Sequence, residues 1–414
     1  MGHLCRAPLC PRTGWRGHRR CAAVPARDHG ACRDVSRGAV LETLGRLTAF
    51  DTVSDRSNLP MIDFVQDFLI ARGFRVTRLE DPSEPKAGLY AEIGPAGGGV
   101  LLSAHTDVVP VAGQTWTRDP FRLSVEEGRA YGRGTTDMKG FVAAMLGLAD
   151  AAGRAALKEP LKLVLSYDEE IGCVGMDRMI GRLAPLMGKP RLAIVGEPTS
   201  MRVATGHKGK RAYLARMQGQ AGHSALAPRF VNALHLAADF MAALRRLQED
   251  LAARGARDPD HDIPFSTVHV GTLSGGQALN IVPDRAEMRF EFRHLAQEDP
   301  DALERRIHEA ARDVCTLHGA AARIEIAPLS RYPGLDTAPD SPAVRTVAQL
   351  AGHGTTKVAF GTEAGFLDRL GIPTVVCGPG SMEGQGHKAD EYLSLSELAA
   401  CEAMLERLLR SMTV

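Results

Sequence analysis

After the first 37 residues, the spacing of apolar positions predicts alternating helices and strands. Apolar residues recur at three- and four-residue steps over 39–50 and 58–72, which is typical of amphipathic helices. Alternating or continuous apolar runs over 74–79, 88–93 and 100–105 predict strands. Helices and strands that alternate in this way indicate an α/β domain.

A different pattern occupies the middle of the chain. Its segments, in chain order, are a strand over 210–218, a helix over 232–251, strands over 265–273 and 285–292, a helix over 302–317 and a strand over 322–326. The order β-α-β-β-α-β is that of a ferredoxin-like unit. The alternation typical of the α/β domain, with a polar side chain at the end of an apolar run, returns only after this unit. We therefore expect the unit to be inserted into the α/β domain.

Side chains with metal-ligand chemistry stand where apolar runs of the α/β pattern end. In chain order they are His105 after the run 100–104, Asp137 after 130–134, Glu169 and Glu170 after 161–167, Glu197 after 192–195, and His387 in the glycine-rich loop after 374–377. In open α/β sheets, ligands collect outside the carboxyl ends of the strands. We therefore expect these donors to form one site.

The types of these side chains indicate a metal centre with a general base. Two histidines with three carboxylates form a ligand set that suits zinc, with cobalt or manganese as further candidates. Asp137 precedes a helical pattern and could bridge two cations through its two oxygens, or it could simply cap that helix. In the pair Glu169-Glu170, one carboxylate can bind metal while its neighbour takes a proton from water; the alternative is a solvated acidic cluster.

Composition narrows the class of protein. At 414 residues with 44% hydrophobic residues, the chain can fill at least two cores. No apolar run approaches the roughly 20 residues of a membrane span, and a net charge of +1 argues against nucleic acid or membrane as the main partner. The scattered Cys173, Cys315, Cys377 and Cys401 are typical of reduced thiols. We therefore expect a soluble, cytoplasmic protein with a small-molecule partner.

The first 37 residues differ from the rest of the chain. They carry eight arginines, two acidic residues and four of the eight cysteines, and they show no apolar periodicity. We interpret them as a disordered extension or as sequence translated upstream of the true start. Two alternatives are an organelle transit peptide and a zinc module, although no Cys-x-x-Cys pair supports the zinc module.

Five motifs in order resemble the signature of the M20 dinuclear zinc hydrolases. They are His105-Thr106-Asp107, Gly132–Gly140, Asp168-Glu169-Glu170, Gly196-Glu197-Pro198-Thr199 and Gly386-His387-Lys388-Ala389-Asp390-Glu391. Within the family, the acetylornithine deacetylases are the most similar branch, notably in Gly206-His207-Lys208-Gly209 and Gly361-Thr362-Glu363-Ala364. The resemblance extends from about residue 39 to the end.

The resemblance implies an architecture and a metal site. It implies a zinc-dependent exopeptidase-like catalytic domain over 38–207 and 327–414, with a ferredoxin-like α+β lid inserted at 208–326, through which family members commonly form homodimers. Two zinc ions per subunit are implied, with cobalt as a possible substitute. The implied ligands are His105, Asp137 and Glu197 for one zinc and Asp137, Glu170 and His387 for the other, so that Asp137 bridges.

The same resemblance implies roles for neighbouring side chains. Glu169 takes the general-base position, and Asp107 takes the position of the acid that orients His105. His223 matches a lid histidine that stabilises the oxyanion and reaches the partner subunit's site, although a loop histidine is usually an ordinary surface residue. Asn280 and Arg293 match positions for the substrate carboxylate, which the planar fork of arginine suits. Glu363 would bind a substrate ammonium or be a structural carboxylate.

The implied activity is hydrolysis of an N-acyl amino acid. For the acetylornithine deacetylase branch, the substrate is N2-acetyl-L-ornithine and the products are L-ornithine and acetate, a step of arginine biosynthesis. A succinyl-diaminopimelate desuccinylase or an aminoacylase shares every metal ligand, so these activities remain alternatives. A non-catalytic binding module would be indicated by an altered base or ligand, and the seven catalytic and ligand positions show none.

Overall fold

The computed structural model describes residues 29–414, with side chains from residue 38 onward. Most of the arginine-rich segment, and the side chains of its four cysteines, lie outside the described residues, so the interpretations of that segment stay predictions. The helix predicted over 39–50 is part of a longer helix, His29–Thr48.

Helices make up much of the described chain. Its α-helices are α1 (His29–Thr48), α2 (Leu59–Ile70), α3 (Gly140–Ala152), α4 (Val174–Met187), α5 (Ala233–Arg254), α6 (Pro300–His318), α7 (Pro342–Ala351), α8 (Ala364–Arg369), α9 (Met382–Gln385) and α10 (Leu395–Met412). Within residues 29–414, no helix has the length and apolar character that a membrane crossing requires.

The strands form four sheets. They are β1 (Arg75–Glu80), β2 (Ala87–Ile93), β3 (Val100–His105), β4 (Ser124–Glu126), β5 (Arg129–Tyr131), β6 (Leu161–Ser166), β7 (Leu192–Pro198), β8 (Val203–His207), β9 (Gly209–Gln218), β10 (Gly222–His223), β11 (Thr267–Gly275), β12 (Ile281–Val282), β13 (Arg285–His294), β14 (Arg323–Tyr332), β15 (Leu335–Asp336), β16 (Thr355–Lys357), β17 (Thr374–Gly378) and β18 (Tyr392–Ser394).

The largest sheet positions the predicted ligands. Its order is β1-β2-β6-β3-β7-β17-β8-β15, with β16 added beside β8, and the neighbours β6, β3, β7 and β17 run parallel. Side chains of β3 alternate between two cores: Val100, Leu102 and Ala104 pack with α1, α2, α3, α7 and α10, whereas Leu101 packs with α4 and α8. Burial on both faces explains the continuous apolar runs of these strands.

The middle of the chain folds into a second layer, which we call the α+β unit (209–332). Its four-stranded antiparallel sheet has the order β11-β13-β9-β14, and α5 and α6 cover one face. The core of the unit contains Tyr213 stacked on Phe290, with Phe240 edge-on to Phe290. The elements follow the β-α-β-β-α-β order.

One expectation about the strand ends is wrong. The run before Asp137 was expected to be a strand of the same sheet as the other ligand strands, but β5 has only three residues and belongs to the separate sheet β18-β5-β4. Asp137 instead lies in the turn Thr135–Lys139, which leads into α3, and its own backbone is non-helical, with φ of −121° and ψ of 93°. The glycines at 132 and 134 have φ of +157° and +82°, and this turn brings the carboxylate to the sheet edge.

Candidate metal centre

The carboxyl ends of three neighbouring parallel strands bring the candidate ligands together. His105 is the last residue of β3, Glu197 lies near the end of β7, and the 169–170 pair follows β6. Donor atoms of His105, Asp137 and Glu170 lie within 4.8 Å of one another, as do those of His105, Glu169 and Glu197. The sheet edge therefore carries a compact cluster of metal-binding side chains.

Asp137 lies at the middle of this cluster. Its Oδ1 is 3.1 Å from Nε2 of His105, and its Oδ2 is 3.4 Å from Nε2 of His387. Glu197 Oε1 approaches the same His105 nitrogen at 3.8 Å, and Glu170 Oε2 approaches the His387 nitrogen at 3.0 Å. The five side chains thus divide into two half-sites that share Asp137.

The donors fit a pair of divalent cations. Among the described residues, nothing donates a hydrogen bond to Glu170 Oε1 or Glu197 Oε1, although both oxygens are buried. A buried carboxylate oxygen without a partner is costly, and a cation at either half-site would supply that partner. Nitrogen and oxygen donors at tetrahedral or higher coordination suit zinc, manganese and cobalt.

The electrostatics of the cluster also indicate a need for positive charge. Burial, reinforced by the negative charge of Asp137, raises the pKa of Glu197 well above its usual range. Burial and the Asp137 charge raise the pKa of Glu170 to about 7. Hydrogen bonds to Asp137 and Glu170 raise the pKa of His387 to about 10. These carboxylates repel one another, and divalent cations would remove that repulsion.

Glu169 faces the cluster without being part of the Asp137-centred pairs. Burial, opposed by His105 and reinforced by the charges of Glu170 and Asp137, raises the pKa of Glu169 to about 8. Its Oε1 accepts a hydrogen bond from Cys173 Sγ at 3.2 Å. A carboxylate with a pKa near neutrality that lies beside a metal centre is suited to proton transfer.

Asp107 joins the histidine ligand to the carboxylate pair. Nδ1 of His105 lies 3.0 Å from the main-chain oxygen of Asp107 and 3.5 Å from its Oδ1. The Asp107 carboxylate also accepts the main-chain N–H groups of Glu169 and Glu170, and Ser54 donates to its Oδ2 at 2.7 Å. Ser54, which the sequence analysis missed, therefore helps to hold both the histidine and the base.

A buried lysine, Lys86, anchors the loop that carries Asp168 and Glu169. Nζ of Lys86 donates to both oxygens of Asp168, at 2.8 and 2.9 Å, and to the main-chain oxygen of Ser54 at 2.7 Å. Asp168 has φ of +55°, so its backbone needs such an anchor immediately before Glu169. Nothing in the local pattern around Lys86 distinguishes it from an ordinary surface lysine.

The turn that carries Asp137 is anchored by Glu391. Its two carboxylate oxygens accept the main-chain N–H groups of Gly134, Thr136 and Asp137 at 2.8–3.1 Å. The same carboxylate accepts Nη1 of Arg133 at 2.8 Å, and both side chains are 1% exposed. Glu391 is the last residue of the His387 motif. The motif therefore includes Glu391, but it does not predict that Glu391 anchors the turn.

A cavity of about 140 Å³ opens next to the metal centre. The side chains that line it apart from the candidate ligands and Glu169 are Lys210, Arg293, Tyr332, Phe360 and Met382. Lys210 and Arg293 lie opposite each other on β9 and β13, and Glu291 accepts from both at 2.9 Å. The two cations share one carboxylate, so this wall of the cavity on the α+β unit keeps a net positive charge, which suits a substrate carboxylate.

His223 and Asn280 lie elsewhere. Both are exposed at the tip of the α+β unit, where His223 pairs with Ile281 in the short antiparallel sheet of β10 and β12. The main-chain oxygen of Asn280 accepts the N–H of Ser224 at 3.0 Å. Neither residue lines the cavity of its own chain.

Glu363 lies beneath the metal centre rather than in the cavity. It is 1% exposed, and its two oxygens accept the hydroxyls of Ser103 on β3 and Ser166 on β6, each at 2.5 Å. Burial raises the pKa of Glu363. This placement favours the structural alternative for Glu363 over a contact with a substrate ammonium.

Comparison with known proteins identifies the family of the chain. The model of peptidase family M20/M25/M40 matches residues 101–411. The acetylornithine deacetylase of Myxococcus xanthus is 35% identical over 380 residues, which cover 89% of this chain and 96% of that protein.

Two solved structures share the fold. An M20 family metallo-carboxypeptidase from Sulfolobus solfataricus matches with a TM-score of 0.74 at 19% identity, covering 90% of this chain and 98% of its own. A dinuclear metal-binding M20 peptidase from Bacillus subtilis matches with a TM-score of 0.65 at 17% identity, covering 92% and 100%. The resemblance predicted from five motifs is confirmed: the chain belongs to peptidase family M20/M25/M40 and is a hydrolase of that family.

Proposed function

We propose that this enzyme hydrolyses the N-acetyl amide of N2-acetyl-L-ornithine to L-ornithine and acetate, using two zinc ions. The observation that carries the chemistry is the position of Asp137, which presents one oxygen to His105 and the other to His387. The choice of substrate is supported by the similarity to curated acetylornithine deacetylases.

In this proposal, His105, Asp137 and Glu197 would hold one zinc, and Asp137, Glu170 and His387 would hold the other. When bound, the zinc pair would polarise the acyl group and lower the pKa of a water to about 7.

Glu169 then acts as the general base. It takes a proton from the water that attacks the acyl carbon, and it returns that proton to the nitrogen of the departing amine. Asp107 keeps Glu169 in place through the main-chain N–H of Glu169, and Cys173 orients its carboxylate. Arg293 and the neighbouring Lys210 bind the substrate carboxylate at the opposite wall of the cavity.

The choice of substrate is tested by comparing the rates of amine release from N-acetyl-ornithine and N-succinyl-diaminopimelate, with zinc-loaded and cobalt-loaded enzyme. We expect at least a hundredfold preference for the acetyl substrate. Preference for the succinyl substrate, or activity on neither, would reject the proposed substrate while leaving the metal chemistry in place.

One observation favours the desuccinylase alternative. The cavity carries two cations, Lys210 and Arg293, and the carboxylates among its described lining residues are those of the ligands and Glu169. A second carboxylate on the substrate could therefore bind one of these cations. The ammonium group of ornithine has no comparable acidic partner among the described lining residues other than the ligands and Glu169. The same pair of substrates separates the two activities.

We further propose that the enzyme is a homodimer in which the α+β unit is a lid, so that His223 and Asn280 reach the partner's cavity. The tip of the unit exposes large apolar side chains that suit burial in an interface; they are Leu226, Leu273, Leu279 and Ile281.

Light scattering should give twice the mass of the chain. Leu279→Asp, at a fully exposed tip position, should yield monomers with reduced activity, whereas Leu317→Asp on α6, which is 81% exposed, should remain dimeric. A fully active wild-type monomer would exclude any role of His223 across subunits.

A further inference from the structure

Two motifs that the proposed function leaves unexplained form one wall beside the cavity. His207, from Gly206–Gly209, is fully buried, and its Nδ1 donates to the main-chain oxygen of Lys208 at 3.0 Å. Its Nε2 therefore accepts from the hydroxyl of Thr362, in Gly361–Ala364, at 3.1 Å. Burial lowers the pKa of His207 to about 4, so this contact joins two neutral groups.

This wall supports Tyr332, the last residue of β14. The rings of His207 and Tyr332 pack edge-on, with centroids 6.3 Å apart and an angle of 71° between planes. The close approach of Tyr332 explains the glycine at 361: a Cβ there would lie 2.2 Å from the Tyr332 hydroxyl oxygen. Only glycine leaves room for the phenol in this position.

The side chain of Tyr332 lies at the surface of the cavity. Tyr332 and Gly361 line the same cavity as Glu169 and Asp137, and the charges that act on the phenol include those of Arg293 and Glu169. Tyr332 as a whole is 7% exposed. Tyr332 therefore shares this cavity with the predicted base and with Arg293 of the cationic wall.

No described residue accepts a hydrogen bond from this hydroxyl; the phenol is affected first by burial and then by nearby charges, among them those of Arg293 and Glu169. A phenolic hydroxyl without a protein partner can donate to water or to a bound molecule. Burial raises the pKa of Tyr332 well above its usual range, so the phenol keeps its proton. The hydroxyl oxygen is not one of the fully buried side-chain atoms that lack a partner, so it is accessible and free to donate to a molecule that occupies the cavity.

We propose that Tyr332 is a catalytic residue whose phenolic O–H donates a hydrogen bond to the acyl oxygen of the bound substrate. The inference rests on the proposed amide hydrolysis. A neutral donor fits an oxygen that gains negative charge only as water attacks. Tyr332 lines the same cavity as Glu169, whereas Arg293 and Lys210 supply the charges that suit a carboxylate. The proton stays on Tyr332 throughout.

This assignment gives each chain its own oxyanion donor. His223, which the family resemblance implies for that role, is exposed at the lid tip and does not line the cavity of its own chain. Tyr332 would act within one subunit, so its contribution should persist in the Leu279→Asp monomer.

The test is Tyr332→Phe, which removes only the hydroxyl. We expect kcat to fall about 10²-fold while KM changes less than about threefold, because the bond strengthens in the transition state. Calorimetry with the methylphosphonamidate analogue of N2-acetyl-ornithine, which mimics the tetrahedral species, should show a similar loss of affinity. Binding of ornithine and the metal content should match those of the wild type.

The control is Tyr90→Phe, which also removes a buried hydroxyl, but one that donates to Glu92 away from the cavity. It should leave kcat and the analogue affinity unchanged. A Tyr332→Phe enzyme with wild-type kcat and analogue affinity would overturn the proposal. A rise in KM at constant kcat would also overturn it, because that result assigns the hydroxyl to the substrate carboxylate.

Failure of the proposed substrate is distinguishable from failure of this inference. If the wild type does not hydrolyse N-acetyl-ornithine, the two variants are compared on the N-acyl amino acid that it hydrolyses fastest, with the matching methylphosphonamidate. The loss in kcat and analogue affinity on that substrate then decides the role of Tyr332.

Discussion

Replacing Glu169 by glutamine should lower kcat by about 10³- to 10⁴-fold while leaving the metal content unchanged. Glutamine has the shape of glutamate and can still accept the Cys173 hydrogen bond, but it cannot take up a proton. The main-chain N–H of residue 169 would still donate to Asp107, so the loop should keep its position. The candidate ligands Glu170 and Glu197 are untouched.

The measurement is kcat on the preferred N-acyl amino acid together with metal content by mass spectrometry. Glu42→Gln, an identical change at an exposed position on α1, is the matched control and should behave as the wild type. If Glu169→Gln retains activity within tenfold of the wild type, Glu169 is not the base. If it loses metal, the residue is a ligand instead.

The second large effect is expected at Glu391. Glu391→Gln should destabilise the protein by about 3–5 kcal/mol, because it leaves the buried Arg133 without its counter-ion. The amide also cannot accept all of the hydrogen bonds from Gly134, Thr136 and Asp137 that hold the ligand turn. We therefore expect metal affinity to fall by about 10- to 100-fold.

Thermal unfolding and metal titration monitored by cobalt absorption measure these two effects separately. The control is Glu80→Gln, which removes an equal charge from a pair with Arg78 where the glutamate is 73% exposed, so it should cost less than about 1 kcal/mol. Wild-type metal affinity in Glu391→Gln would show that the turn holds Asp137 without this anchor.

Much of the candidate site was predictable because its ligands follow strands with strong patterns. The runs that end at His105 and Glu197 are buried on both faces, so their hydrophobicity marks the strands, and parallel neighbours end at one edge. The prediction was wrong for the run before Asp137, which forms a three-residue strand in a separate sheet. So short a run has no periodicity, so the sequence does not distinguish it from the end of a longer strand of the main sheet.

The sequence by itself determined the family, the order of elements and the chemistry of the ligands, because motifs and periodicity are local properties of the chain. Only the tertiary structure decided which side chains hold those ligands in place. Ser54 meets Asp107 across 53 positions, Lys86 meets Asp168 across 82, and Glu391 meets Asp137 across 254. Contacts at such separations depend on how helices and strands pack, and no local pattern encodes them. The environment of the Tyr332 hydroxyl, which has no partner among the described residues, also depends on tertiary packing, because two distant motifs pack against Tyr332.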